Sequence, residues 1–371
     1  MRRTHTWILA FLIAGLLAST GCDTSDPGVT EQPSEEEPEE PALEEVCGPT
    51  VEPEVGTRWT HQESGTERTV TDITFLDDQT GRAIVRKWGN DAEPPLLLKT
   101  SDGGQTWCRI AVASHKVGTE MGSALFFVDS EVGFIGGEGT RVMKTTDGGY
   151  HWPMNKQVYD SYVWFHAMSF LNDQTGWVAG GNGLVFRTND GGGTWTRQEI
   201  NFNQPIFSIV FPDPADPALG LLAGNSGALF RTTDGGGTWT RLDSGVDQII
   251  GSVAFADATT GVAVGGEQGM GFILRTTDGG ATWEQVVADY DVGLNDRWVG
   301  FQDVDFGVDG FGVVVGGKAL LVTTDGGATW TQEETGTDAE FFAVSVQGPD
   351  AAWVTLDDGL ILRRKASSAL P

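Results

Sequence analysis

Length, composition and charge limit the functions open to this chain. It has 371 residues, including 52 glycines and 13 tryptophans, and its formal net charge at pH 7 is −29. An acidic surface of this kind repels phosphate backbones, so we expect no nucleic-acid partner.

The N-terminus has the pattern of an export signal. Arg2 and Arg3 precede an apolar run over 7–17 that is too short to span a bilayer as a helix. Residues 18–22, Ala-Ser-Thr-Gly-Cys, resemble a bacterial lipobox, with Ser19 where leucine is usual. We predict a signal peptide over 1–21 and a lipidated Cys22 that anchors the exported chain in the bacterial cell envelope. Ordinary secretion with cleavage nearby is the alternative.

The segment after Cys22 has the composition of a tether. Residues 23–50 contain ten acidic residues and five prolines but no lysine or arginine. Such a segment cannot bury a core, so we expect 22–50 to be the lipidated cysteine followed by an acidic, disordered linker. In an oxidising envelope, Cys47 and Cys108 are candidates for a disulfide that ties the start of the folded body to the first repeat. Two free thiols are the alternative.

From residue 51 onward the sequence is repetitive. One motif occurs six times, and its fullest form is Ser/Thr-x-Asp-x-Gly-x-Thr-Trp. Successive aspartates lie 43 to 47 residues apart, and each tryptophan lies five residues after its aspartate. We call each Asp-to-Trp segment a box. The six pairs are Asp102 and Trp107, Asp147 and Trp152, Asp190 and Trp195, Asp234 and Trp239, Asp278 and Trp283, and Asp325 and Trp330. A fixed period of about 44 residues is typical of propeller blades.

The residues between boxes predict four short antiparallel strands per repeat. Most repeats contain a phenylalanine six residues before a glycine, as in Phe170 and Gly176. That glycine begins a second strand, a glycine-rich hairpin leads to a third, and the box turns the chain into a fourth. Glycine suits these turns because it adopts positive φ freely.

Counting the repeats predicts how the ring closes. Six complete repeats end near residue 334, and a seventh, from Phe341 to Arg363, lacks a fourth strand and a box. The segment 56–60 resembles the Gly-Thr-Trp-Thr that ends a box, so the N-terminal strand is predicted to complete the last blade. We therefore predict an all-β, seven-bladed β-propeller over 51–366 with a short tail over 367–371. We expect it to be a monomer.

The boxes themselves predict structure rather than chemistry. A box aspartate can accept hydrogen bonds from backbone amides of its own turn. A calcium loop is the alternative, but each box offers only one carboxylate, and the spaced ligands of such loops are absent. The histidines also lack metal-ligand spacing, so we expect no metal and no cofactor.

The connected pattern from Phe170 to Trp195 resembles the repeat of the photosystem II stability and assembly factor family, in its lipoprotein form. These are seven-bladed propellers with Asp-box (BNR) repeats, and the resemblance covers nearly all of 56–365. It implies an exported or lipid-anchored, non-enzymatic assembly chaperone with a protein partner, which in that family is a photosystem reaction-centre precursor. It does not establish a photosynthetic role for this chain.

The resemblance also implies a candidate binding surface. The family has a basic patch on one face, and here one position, three residues before the box aspartate, is repeatedly basic. The residues are Lys99, Lys144, Arg187, Arg231, Arg275 and, at the matching place in the seventh repeat, Arg363; Val322 interrupts the series. The alternative is that these side chains pair with carboxylates or lie over tryptophans between blades.

An enzyme is the alternative to the protein-binding scaffold. Sialidases need an arginine triad and a tyrosine nucleophile, and none of the four tyrosines lies in a recognisable constellation. Xyloglucanase-type glycosidases on similar propellers use two aspartates, and Asp72 and Asp303 share one position in the first and sixth repeats. As general acid and base they are the catalytic candidates of this hypothesis. A polar channel wall is the simpler explanation, because the other repeats have alanine or serine there: Ala124, Ala167, Ser208, Ser252 and Ala343.

Overall fold

The computed structural model describes residues 46–47, 58–85, 96–112, 121–213, 215–294 and 300–365. The predicted signal peptide, Cys22, most of the linker and the tail over 367–371 lie outside these ranges. Apart from strands, the described residues include three short 3₁₀ turns, Glu138–Thr140, Gly181–Gly183 and Val308–Gly310. Among the described residues, none belongs to a helix of the length and apolarity needed to cross a membrane.

The strands form seven antiparallel sheets, and each sheet is one blade. Blade 1 contains β3 (Val70–Phe75), β4 (Gly81–Val85), β5 (Leu96–Thr100) and β6 (Cys108–Ala111), with β1 (Val46–Cys47) beside β6. Blade 2 contains β7 (Met121–Phe127), β8 (Gly133–Gly137), β9 (Arg141–Thr145) and β10 (Met154–Gln157). Blade 3 contains β11 (Phe165–Phe170), β12 (Gly176–Gly180), β13 (Val185–Thr188) and β14 (Thr196–Gln198).

The remaining blades follow the same order. Blade 4 contains β15 (Ile206–Val210), β16 (Gly220–Gly224), β17 (Leu229–Thr232) and β18 (Thr240–Leu242). Blade 5 contains β19 (Ile250–Phe255), β20 (Gly261–Glu267), β21 (Met270–Thr276) and β22 (Glu284–Asp291). Blade 6 contains β23 (Asp303–Phe306), β24 (Gly312–Gly316), β25 (Ala319–Thr323) and β26 (Thr331–Gln332). Blade 7 contains β27 (Phe341–Gly348), β28 (Ala351–Leu356), β29 (Leu360–Arg364) and, as its fourth strand, β2 (Trp59–Glu63).

The predicted fold and ring closure are confirmed. Strand β2 pairs with β29 in register from Trp59 opposite Arg364 to Glu63 opposite Leu360. The two ends of the folded body therefore share one sheet, in which β2 pairs with the edge of β29 that would otherwise be open.

Blade 1 differs from the four-stranded prediction. Val46–Cys47, which the sequence placed in the linker, add a fifth strand that pairs Cys47 with Cys108 of β6. The two sulfurs form a disulfide. A two-residue strand has no periodicity of its own, so the sequence signalled this attachment only through its cysteines.

The phenylalanine-to-glycine spacing has a direct structural cause. Phe170 at the end of β11 is the cross-strand partner of Gly176 at the start of β12. A Cβ atom built on Gly176 would lie 2.1 Å from Cδ1 of Phe170, so the ring covers the glycine and excludes any side chain there. The same ring packs edge-on against Trp195 of its own blade, with centroids 6.4 Å apart.

Stacked aromatic rings join neighbouring blades. Trp177 of blade 3 stacks on Phe211 of blade 4 at 3.7 Å between centroids, and Trp353 of blade 7 stacks on Phe75 of blade 1 at 3.5 Å. Both tryptophans are fully buried. The hydrophobic core accordingly lies between blades, with each buried cluster drawing on adjacent sheets.

The blade arrangement defines an axis and two faces. The first strands of successive blades lie beside one another around the axis. On one side, which we call the box face, each box turn bonds to the turn between the first and second strands, as when Gly191 N donates to Gln174 O. The opposite side, the connection face, carries the hairpins between second and third strands and the connections between blades, as when Gly181 N donates to Trp164 O.

Candidate functional site

The box aspartates are bonded within their own turns. In blade 4, Asp234 Oδ1 accepts from Thr238 N at 2.8 Å and from Thr232 Oγ1 at 2.8 Å, while Oδ2 accepts from Thr238 Oγ1. The backbone N–H of Thr238 contributes most to lowering the pKa of Asp234, to about 2. The other boxes repeat the bond to Oδ1 from the residue four positions later. These carboxylates are therefore occupied by the turn that contains them.

The predicted basic ring lies on the box face and spans the gaps between blades. Arg231 Nε donates to Gly279 O of the next blade at 2.9 Å, and Arg275 Nε donates to Gly326 O at 2.9 Å. Arg187 Nη1 donates to Gly235 O at 3.1 Å. Each acceptor is the first glycine of the neighbouring box, so these arginines tie one blade to the turn of the next.

The other members of the ring make comparable contacts. Lys99 Nζ donates to Tyr150 Oη at 2.8 Å, and Lys144 Nζ donates to Asp173 O at 3.0 Å. The guanidinium of Arg363 lies over Trp353, 5.5 Å from the ring centroid. All six are half-buried. The alternative to partner binding is met only in part: Arg187 and Arg363 lie over tryptophans of their own blades, whereas the hydrogen bonds of the ring go to carbonyl and hydroxyl oxygens rather than to carboxylates. A role in partner binding stays a prediction.

The two predicted catalytic aspartates lie on first strands and bond to neighbouring blades. Asp72 Oδ2 accepts from Leu125 N of blade 2 at 2.8 Å. Asp303 Oδ2 accepts from Val344 N of blade 7 at 2.9 Å, and its Oδ1 accepts from Ser252 Oγ of blade 5 at 2.8 Å. A first strand is a sheet edge, and its inner N–H groups lack a ladder partner. The aspartates supply the missing acceptors.

A third carboxylate at the axis was not singled out in the sequence. Asp305 Oδ2 accepts from Val346 N of blade 7 at 2.7 Å. Its counterpart in blade 7, Ser345, does the same for Phe75 N of blade 1 at 3.0 Å. In the sequence, Asp305 could be noticed only as a polar residue two positions after Asp303. The alternation of residues along the first strands of the other repeats gave no reason to expect an acidic residue there.

Burial raises the pKa values of all three carboxylates. Burial and the charge of Asp303 raise the pKa of Asp72 to about 7, and burial raises the pKa of Asp303 to about 6. Burial, with a smaller effect of Asp303, raises the pKa of Asp305 to about 7. The charge of Asp303 therefore acts on Asp72. Their oxygens, however, are engaged by backbone and serine donors of adjacent blades.

A buried ion pair locks the seam between blades 6 and 7. Arg364 Nη2 donates to Glu333 Oε1 at 2.6 Å, and its side chain is only 3% exposed. Trp59 Nε1 donates to Glu333 Oε2 at 2.9 Å. Burial alone would raise the pKa of Glu333, but the hydrogen bonds and charge of Arg364 lower it below its ordinary value. One carboxylate thus joins blade 6 to both strands that close the ring.

Within the described ranges, no group of three or more histidine, cysteine, aspartate or glutamate side chains is placed to hold a metal ion. The seven sheets and the bonded box aspartates together define a box-repeat β-propeller. The family model described as Photosynthesis system II assembly factor YCF48 matches residues 117–253 and 238–332, which is more than half of the chain. The chain belongs to this family.

Solved structures share the fold. A structure of YCF48 bound to D1 peptide is 19% identical over 87% of this chain and 99% of its own, with a TM-score of 0.64. YCF48 from Cyanidioschyzon merolae is 19% identical over 83% of this chain and 98% of its own, with a TM-score of 0.61. An ancestral GH74 enzyme is 15% identical, with a TM-score of 0.60 over 85% of this chain, which spans about half (47%) of that enzyme. Among curated proteins, none matches this sequence.

Proposed function

We propose that this protein is a non-enzymatic, protein-binding assembly or stability factor of the bacterial cell envelope. The observation that carries the proposal is membership of the YCF48 family, in which one solved member is bound to a peptide. The partner is a protein or a segment of one, and the proposal does not require a photosynthetic host. Nothing in it depends on a cofactor.

The use of the axial carboxylates supports a scaffold over a glycosidase. Inverting and retaining glycosidases need one carboxyl group free to give a proton and another free to act on water or sugar. Asp72 and Asp303 instead accept hydrogen bonds that link blade to blade. The GH74 similarity is at 15% identity and concerns the fold.

We propose that the propeller is held at a membrane by a lipid on Cys22. The lipobox-like segment 18–22 and the acidic composition of 23–50 support this location. Cys22→Ser should release the protein from the membrane fraction into the soluble fraction while the folded body keeps its melting temperature. Unchanged membrane association of Cys22→Ser would exclude the lipid anchor.

Partner binding is tested by chemical cross-linking in intact cells. The full chain with a C-terminal affinity tag would be captured from solubilised membranes, and cross-linked peptides identified by mass spectrometry. We expect one reproducible protein partner that is absent when an unrelated acidic lipoprotein is the bait. Recovery of the same proteins with both baits would contradict the proposal.

The enzyme alternative is tested with the purified protein and a panel of glycans. We expect no turnover by wild type above that of heat-denatured protein. Turnover that disappears in Asp72→Asn or Asp303→Asn, with the melting temperature unchanged, would overturn the scaffold proposal. A loss of both turnover and stability would not discriminate, so the melting temperature is measured for each variant.

A further inference from the structure

An open cavity of about 570 Å³ lies on the connection face between blades 3 and 4. Its wall is formed by the connection from β14 to β15 and by the fourth strands of the two blades, with Arg197, Glu199, Asn201, Asn203 and Arg241 contributing polar side chains. The volume is within the range of ordinary ligand sites. It lies on the face opposite the predicted basic ring.

The backbone conformation of two residues shapes one wall of this cavity. Gly183 has a φ of +65°, and a Cβ atom there would lie 2.0 Å from Phe202 O. Only glycine lets the hairpin of blade 3 approach the connection this closely. Asn201, with a φ of +48°, gives the connection its sharp turn. Two backbone positions that strongly restrict side chains therefore shape one wall.

Aromatic rings contact both arginines at the cavity. The guanidinium of Arg241 lies 5.4 Å from the ring centroid of Phe202, and that of Arg197 lies 5.8 Å from the centroid of Tyr159. Phe202 packs in turn on Phe230 at 5.6 Å. Arg197 Nε also pairs with Glu199, and Arg241 Nη2 donates to Ser226 O at 3.4 Å. The aromatic contacts order each guanidinium without using its other N–H groups.

The charge of the cavity is opposite to that of the molecule. Its lining contains two arginines and one carboxylate, Glu199, which pairs with Arg197 at 3.2 Å. The whole chain has 52 acidic and 23 basic residues. On so acidic a protein, the two guanidinium groups give this cavity a local charge that is complementary to carboxylates.

We propose that this cavity binds an acidic segment of a protein partner, with Arg197 and Arg241 pairing with its carboxylates. The inference rests on the proposed protein-binding function. Guanidinium groups match carboxylates in bidentate geometry, and the amides of Asn201 and Asn203 offer a donor and an acceptor each for an extended backbone. Tyr159 and Tyr162, 40% and 94% exposed, lie on the preceding connection and supply the aromatic surface that interfaces favour.

The test uses a library of synthetic hexapeptides, acetylated and amidated so that only side chains carry charge. Wild type in its full-chain form should enrich sequences rich in aspartate and glutamate. The double variant Arg197→Glu/Arg241→Glu should weaken binding of these peptides about tenfold or more and favour lysine-rich sequences, because attractive contacts become repulsive. Lys318→Glu, on an exposed hairpin of blade 6, is the control and should leave the preference unchanged.

Two results would overturn the cavity proposal. One is a wild-type preference for apolar or basic peptides, and the other is an acidic preference that survives charge reversal at an unchanged melting temperature. If the double variant fails to fold, Arg197→Gln/Arg241→Gln replaces it and should lower acidic enrichment without reversing it. Cross-linking separates the two proposals. If wild type and variant capture the same partner equally, the cavity proposal is wrong and the proposed function stands. If the protein binds acidic peptides but captures no cellular partner, the proposed function is wrong and the cavity proposal stands.

Discussion

Asp303→Ala offers a quantitative test of what the axial carboxylates do. The side chain accepts hydrogen bonds from Val344 N, Val304 N and Ser252 Oγ, and it joins blades 5, 6 and 7. Alanine leaves the donors of Val344 and Ser252 without this acceptor. The backbone should tolerate the change, because Ala343 occupies the matching position of blade 7.

The size of the effect follows from the number of donors and their exposure. A buried hydrogen-bond donor that has no acceptor lowers the free energy of unfolding by about 1–3 kcal/mol. Asp303 is only half-buried, so solvent offsets part of the lost bonding. We therefore expect a total loss of about 1–3 kcal/mol, which lowers the melting temperature by roughly 2–5 °C.

Thermal unfolding of wild type, Asp303→Ala, Ser252→Ala and the double variant at pH 5, below the raised pKa of Asp303, measures this effect. The two changes should be less than additive, with a coupling of about 1 kcal/mol for the shared hydrogen bond. An unchanged melting temperature in Asp303→Ala, or strict additivity, would refute the assignment of Asp303 as an inter-blade acceptor.

Four further outcomes are expected. Glu333→Ala should destabilise the protein by about 3–5 kcal/mol in urea unfolding, since it leaves the buried Arg364 charge unpaired; a loss below 1 kcal/mol would contradict the closure role. Gly176→Ala should lower the free energy of unfolding by about 1–3 kcal/mol through overpacking. A smaller side chain at position 170, as in Phe170→Leu, should restore part of this stability in the same chain, and chemical denaturation measures both effects. Stability should be highest near pH 4: the axial carboxylates have raised pKa values, so their contribution is lost as pH rises from about 4 through 6–7, whereas the box carboxylates have lowered values and lose theirs as pH falls from about 4 towards 2. Asp305→Asn should reduce the difference between the melting temperatures at pH 5 and pH 8. An unaltered difference would contradict the contribution of Asp305 to the pH dependence of stability. Reducing the disulfide of Cys108 should lower the melting temperature without changing the shape of the far-ultraviolet spectrum, because it frees only strand β1; loss of the propeller signal would be inconsistent with this.

Much of the fold was visible in the sequence because the repeat encodes local contacts. Phe170 and Gly176 are cross-strand partners, and the box aspartates bond four residues ahead, so short-range spacing carries both signals. The closure was also readable, since Trp59 repeats a pattern found elsewhere in the chain. These features recur in most blades and reinforce one another.

The candidate site was less predictable because it depends on contacts between blades. Arg231 has the same sequence environment whether it faces a partner or the carbonyl of Gly279. The position of Asp303 relative to Val344 is set by the packing of blade 6 against blade 7, which no local pattern specifies. The cavity beside Arg197 arises from a blade connection that departs from the repeat, and its charge is apparent only once two fourth strands are placed together.

Site-specific photocross-linking in living cells tests the central claim most directly. A photoreactive amino acid would replace Tyr162 on the connection face or Thr238 on the box face, with the rest of the chain intact. The account predicts that a protein partner is cross-linked reproducibly from position 162 and that charge reversal of Arg197 and Arg241 weakens the product. No protein product from either position, together with glycan turnover by the same preparation, would contradict it.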